Sequence, residues 1–247
     1  MKEVTTQAVV LRTGHFREID IWLKLLLPER GIETVFAFGG SRSRHRFPGC
    51  LDVLNTLECR LRTSGYGNYV TLEEARLISG PGDLRSNWSR MGLAANCLRF
   101  LEALDVPADS AREAFGLVED LRRHLAESRT VSPLFPLFFR FAMACRLGYG
   151  PDLEHCSLCG RRLGDEPSFF QVSEGLMLCT GCAGKFPSSL LVKSAVRNLL
   201  CSVEYGAPET WGEARGYEEW RACSALIDGF IQYHLGIVWD RGTFRKS

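Results

Sequence analysis

Net charge is nearly missing from this sequence. Its 247 residues carry 30 Lys and Arg against 29 Asp and Glu, which leaves +1. A partner such as a nucleic acid must therefore be met by a local basic patch and not by a global positive field. Long apolar runs are missing too. None approaches the roughly 20 residues that cross a bilayer, and the N-terminus has no charged-then-apolar segment. No membrane partner is expected. Signatures of catalysis are also missing: His-x-Glu of zinc deaminases, His-Glu-x-x-His of zinc proteases, and the Gly-x-x-x-x-Gly-Lys phosphate loop. Gly184-Lys185 lacks the earlier glycine of that loop, because Cys179 stands in its place. Internal repeats and low-complexity tracts are absent. The chain is expected not to be an enzyme.

Cysteine, by contrast, is plentiful. Ten cysteines in a chain of this size, without a secretory signal, point to a reducing, cytoplasmic compartment. Four of them form C-x2-C-x19-C-x2-C: Cys156 and Cys159, then Cys179 and Cys182. A two-residue gap lets both sulfurs of one tight turn reach the same ion, and two such turns supply four thiolates at tetrahedral corners. Gly160 and Gly181 are expected to ease the turns, and Arg161 and Arg162 to offset some negative charge. Buried thiols or two disulfides are the competing readings. The paired spacing favours one structural Zn2+ that staples a small lobe. Cys50, Cys59, Cys97, Cys145, Cys201 and Cys223 fall in apolar periodic segments and read as core residues.

With 45% hydrophobic residues the chain can build real cores, and its length suits two domains. The first 80 residues read as five strands: 3–12, 19–27, 32–38, 51–63 and 69–78. The second alternates cleanly, with Ile19, Ile21, Leu23, Leu25 and Leu27 on one face. Short glycine-containing turns join them. A five-stranded OB-type barrel is expected, with an SH3-like barrel as the alternative. Phe36 and Phe38 are read as core. Between the third and fourth strands, GGSRSRHRFPG (39–49) holds Arg42, Arg44 and Arg46 with no acid among them. Guanidiniums so spaced suit a phosphate backbone, and Phe38 and Phe47 beside them suit base stacking. Trp22, which shares a strand face with Lys24, suits stacking as well, and Lys24 and Arg12 are weaker candidates for holding phosphates. After Pro81-Gly82 the period becomes helical. Trp88, Met91, Ala95 and Leu98 form one buried stripe of the first helix, and Leu93, Cys97, Phe100, Leu101 and Leu104 another. Further helices follow over 111–127, after Ser132-Pro133, after Ser194 as cap, and over 217–235 with Trp220 inward. The expected organisation is α+β: a barrel over 1–80, then a helical domain over 81–247 with the zinc lobe inserted at about 152–186.

Taken in order, these segments resemble the bacterial DNA repair protein family RecO. The resemblance rests on FGGSRSRHRFPGCLDVLNTLE, on FRFAMACRLGYGPDLEHCSLCG, on GLMLCTGC and on YHLGIVWDRGTF. The run from Gly148 to Gly160 is the most specific part. The resemblance implies a non-enzymatic recombination mediator, cytoplasmic and nucleoid-associated. Such proteins bind single- and double-stranded DNA, anneal complementary strands, and with RecR help RecA displace single-stranded-DNA-binding protein, whose acidic tail they also bind. Carried onto this chain, Arg42, Arg44, Arg46, Lys24 and Arg12 would hold DNA, and Cys156, Cys159, Cys179 and Cys182 would hold zinc. A zinc-stapled protein adaptor, or a redox sensor that ignores DNA, is the other class that fits.

Overall fold

The computed structural model describes residues 2–65 and 69–246. The tip of the expected turn at 64–68 lies outside the described residues. Five strands come first: β1 (Lys2–His15), β2 (Ile21–Leu27), β3 (Gly31–Ala37), β4 (Thr56–Thr63) and β5 (Val70–Ser79). They close into a barrel in the order β1-β2-β3-β5-β4. Every neighbour is antiparallel except β3 with β5, which run parallel. This is the expected OB-type arrangement.

The alternation of β2 sends Ile21, Leu23, Leu25 and Leu27 inside, where they meet Ala8, Val10, Val35, Leu57, Cys59, Leu61 and Leu72. Strand character does not resume at Leu51 but at Thr56. Residues 51–55 turn instead, with Leu54 in the left-handed region at φ 66 and its amide bonded to the Val10 carbonyl at 2.8 Å. In β3 the inward phase belongs to Val35 and Ala37, so Phe36 and Phe38 point outward. A narrow barrel takes the smaller residues of the two phases. Phe47, by contrast, is core.

Helix α1 (Trp88–Leu104) and α2 (Ala111–Glu127) follow. The chain packs as two units: 1–91 with 105–127, and 92–104 with 128–247. The change of period at Pro81-Gly82 marks where the strands end, but packing divides the chain elsewhere. In the first unit α2 packs against β2 and β3. Its buried face is Ala114, Leu117, Val118, Leu121 and Leu125. Val9, Leu11 and Leu26 lie outside the barrel interior yet are fully buried. Trp88 is 87% exposed and not part of a buried stripe.

The second unit centres on α3 (Phe135–Ala144), where every side chain but Arg140 is buried. A π turn (Cys145–Tyr149) ends it. Then come β6 (Ser168–Gln171), β7 (Leu176–Leu178), the single turn α4 (Thr180–Ala183) and β8 (Leu190–Val192), in a sheet of order β7-β6-β8. The lobe's sheet thus runs past the expected end at 186. Helices α5 (Ser194–Tyr205) and α6 (Gly216–Leu235) and a hairpin of β9 (Ile237–Asp240) and β10 (Thr243–Lys246) complete it. Trp220 is exposed rather than inward, and Lys193, not Ser194, is the N-cap of α5. Ala195 is exposed, whereas Arg197 is buried. Among the described residues no helix is long and apolar enough to cross a membrane.

Candidate nucleic-acid interface and metal centre

The two cysteine hooks converge. The Sγ atoms of Cys156, Cys159, Cys179 and Cys182 all lie within 4.8 Å of one another. The Cys159 and Cys179 sulfurs are 3.9 Å apart. Four sulfurs around one zinc stand about 3.8 Å apart, given a Zn–S bond of about 2.3 Å. A disulfide needs about 2.05 Å, and all ten cysteines are free. The four-cysteine group therefore fits a tetrahedral metal ion.

Local geometry explains the convergence. In the first hook the Gly160 amide bonds back to the Cys156 carbonyl at 2.8 Å, and the Cys156 amide to that of Arg161 at 2.8 Å. Gly160 takes φ +70, which a side chain would resist. Gly181 has no such role; it sits within α4, with Cys179 as N-cap and the amides of Cys182 and Ala183 both 3.0 Å from the Cys179 carbonyl. The Ser157 amide bonds the Met177 carbonyl at 2.8 Å, and so docks the first hook on β7.

The thiols hold charge unevenly. Burial pushes Cys156 up, but the backbone amides of Cys179, Cys159 and Leu158 outweigh it and bring it to about 6. Shared hydrogen bonds, first with Cys179, push Cys182 up to about 12. Four clustered sulfurs repel one another's charge, and a dication relieves that repulsion. Arg161 is not a free counter-charge, since it pairs with Glu166.

One functional-looking residue in this lobe escaped the sequence reading. Arg197 on α5 is 3% exposed. Its Nη1 donates to Ser168 Oγ at 3.3 Å and to the Glu166 carbonyl at 3.5 Å. Its Nη2 donates to the carbonyls of Leu163 at 3.2 Å and of Gly164. The guanidinium thus clamps the segment between the first hook and β6.

The barrel carries a second candidate site on its outer face. Phe16 from the β1–β2 loop, Phe36 on β3, Phe38 just after it and Tyr69 before β5 form one ring cluster. Phe36 and Phe38 stack at 6.4 Å and 21°. Phe16 meets both edge-on at 5.3 and 6.1 Å, and Tyr69 does so at 6.2 and 6.3 Å. Trp22 stands opposite Phe36 in register. It lies flat over Gly14, where a Cβ would come within 2.7 Å of the indole. The Arg12 guanidinium sits 5.5 Å from the Trp22 ring, and Arg12 faces Lys24 across β1 and β2. Of these rings, the sequence pointed to Phe38 and Trp22 for stacking.

The three arginines of the loop differ in their contacts. The Gly39 amide bonds Asp20 Oδ1 at 2.7 Å and the Ser41 amide bonds the Ile19 carbonyl at 3.1 Å, which fasten the loop's start to the β1–β2 turn. Arg42 and Arg44 are exposed, and neither has an ion pair among the described residues. Arg46 is a strut. Its Nη2 donates to the Phe38 carbonyl, its own carbonyl accepts from the Ala75 amide at 2.9 Å, and its guanidinium lies 4.8 Å from the Phe47 ring. On the outer side of β4 and β5 the arginines are already neutralised. Arg60 pairs with Glu74 at 3.1 Å and Glu3 at 3.6 Å, Arg62 with Glu73 at 2.7 Å and Arg76 with Glu58 at 3.1 Å.

Residues 1–81 match the family model described as recombination protein O N terminal, and residues 85–242 match recombination protein O C terminal. The chain is 41% identical over 249 aligned residues to the DNA repair protein RecO of Nitratidesulfovibrio vulgaris, covering 99% of each. It is 39% identical to that of Oleidesulfovibrio alaskensis, again over 99% of each. Against that of Lawsonia intracellularis the identity is 37% over 97% of each.

Proposed function

The chain belongs to the RecO family of DNA repair proteins, and from that premise we propose that it is a recombination mediator that binds single- and double-stranded DNA and anneals complementary strands. In this reading it works with RecR to help RecA replace single-stranded-DNA-binding protein on gapped DNA. The observation that carries the reading is the outer face of β2 and β3. There exposed rings include Phe38, and the loop that follows Phe38 carries Arg42 and Arg44, two exposed guanidiniums with no carboxylate partner among the described residues. On β4 and β5, by contrast, arginines and carboxylates cancel.

Annealing by this route needs no chemical step. Two strands repel through their phosphates, and basic side chains that neutralise some of those phosphates lower the barrier to pairing. Arg42 and Arg44 are the phosphate holders, with Arg12 and Lys24 along the same face, while Arg46 braces the loop. The four cysteines hold one Zn2+, whose closed four-thiolate shell supplies folding energy to the lobe and offers no position for substrate. The protein acts as a binding platform without catalytic residues.

The test is titration of a labelled single strand with the metal-loaded protein across a salt series, followed by an annealing assay with two complementary strands. Salt-sensitive binding and accelerated annealing are expected. Absence of binding at low salt, with a protein partner still captured, would replace this reading with that of an adaptor.

A further inference from the structure

We propose that the four-ring ledge makes the barrel face selective for single strands, and that duplex DNA is held by the Arg42 and Arg44 loop without the ledge. This rests on the DNA-binding reading above and divides it between two sets of residues.

The rings are unusual company for a surface. Phe16 and Phe38 are each 38% exposed and Tyr69 46%. Contiguous exposed apolar area of this kind marks an interaction site. It is also held ready. The Phe16 amide bonds the Asp20 carbonyl at 3.2 Å, Asp20 Oδ1 takes the Gly39 amide, and Arg46 grips the Phe38 carbonyl. The loops that carry Phe16 and Phe38 are thereby tied to each other, so little ordering remains to be done on binding.

The chemistry of the occupant follows from shape and charge. A parallel pair of rings flanked by two edge-on rings offers flat surface, not an aliphatic groove. Flat surface suits the π-face of a base. The loop after Phe38 adds positive charge from Arg42 and Arg44, which have no ion pair among the described residues, and Arg17 lies 5.6 Å from the Phe16 ring, in a turn that also holds Glu18 and its 3.9 Å partner Asp20. That charge complements a phosphate backbone. In a duplex each base face is already covered by its neighbours, and only phosphates and groove edges are presented. The rings can then gain nothing from duplex DNA, whereas guanidiniums serve either form.

The experiment uses the full metal-loaded chain and three probes of equal length, about 20 nucleotides: a single strand, the duplex, and an abasic strand of sugar and phosphate alone. The variant Phe16→Leu with Tyr69→Leu keeps apolar volume at two exposed positions outside the barrel interior, and Phe38→Leu serves as a second variant. Loss of ring faces is expected to weaken single-strand binding at least about fivefold, the lower end of what one lost base–ring stack costs, with the other two probes within about twofold. Equal losses on all three probes would overturn the proposal, since the rings would then act on the fold or the backbone. Unchanged single-strand binding would also overturn it and leave the ledge to a protein partner. Failure of the unaltered chain to bind any probe would sink the DNA-binding reading itself, and with it this one.

Discussion

Replacing Arg197 by Met is expected to destabilise the unit that holds the metal lobe by about 2–4 kcal/mol. Methionine keeps the length of the stem but carries no donors. Two buried acceptors, the Leu163 carbonyl and Ser168 Oγ, then lose their guanidinium partner. Each such group left unsatisfied costs about 1–3 kcal/mol. Relief from burying a charge, one with no carboxylate partner among the described residues, offsets part of that sum. For a unit of this size the change corresponds to a fall in Tm of roughly 6–12 °C. Calorimetry with metal content measured on the same sample reads it. Because the clamped carbonyls lie between the first cysteine hook and β6, a chelator should also strip the metal faster from the variant. Arg197→Lys should fall between the two, since a compact ammonium cannot fork onto carbonyls on both sides. A Tm within about 2 °C of the unaltered chain would refute the reasoning. It would mean that the carbonyls are satisfied by water and that the clamp is incidental.

Other expectations are quicker to test. Removing Arg42 and Arg44 together should lower the slope of log K against log salt by about 1.4 on single strands and about 1.8 on duplex. Arg46→Ala should instead lower Tm and leave the slope nearly unchanged. Chelation under reducing conditions should release about one zinc per chain and lower the unfolding temperature of the lobe, read by a chromophoric chelator beside circular dichroism. A half-buried carboxylate gives a pH test. Burial, with Asp152 and Glu154 adding to it, raises Glu204 to about 7 from 4.5. The folded state holds that proton more tightly than the unfolded one, so stability falls as pH rises from about 4.5 to 7 and the cost stays in full above 7. Glu204→Gln should therefore stabilise the protein at pH 8 by about 1 kcal/mol, discounted for solvent screening, and have little effect at pH 4.

The parts legible in the sequence were those fixed by short spacing. Two C-x2-C hooks dictate their own turns, and the strict alternation of β2 leaves one way to face it. The face of β3 was not legible, because IETVFAF carries apolar residues on both phases. Only the bore of the closed barrel decides that Val35 and Ala37 go in and the phenylalanines go out. The ring ledge was hidden for the same reason, and because Phe16 and Tyr69 lie far apart in the chain. Arg197 was hidden differently. A lone arginine on an amphipathic helix reads as solvated, and nothing local announces the carbonyls of residues 163–166 that await it. The buried side of α2 was plain from its period, yet period cannot name a partner, and α2 packs on the barrel. Arg46 shows the limit of charge patterning. It is indistinguishable from Arg42 and Arg44 in the run but reaches back to Phe38.

The barrel is a hoop with a weak link. Among the described residues, β3 and β5 join only through Val35 with Val70 and Phe36 with Thr71, whereas β2 and β3 are in register along the whole of β2. Breathing should start at that link, where amides exchange with solvent ahead of the rest of the hoop. Phe36 stands on one side of it and Tyr69 leads into the strand on the other, 6.2 Å away. Anything laid across both rings is then a latch over the gap. Cargo and closure become one equilibrium, and a loaded barrel should melt later and exchange more slowly at Val35 and Val70, by a stabilisation that grows with the logarithm of cargo concentration over its dissociation constant.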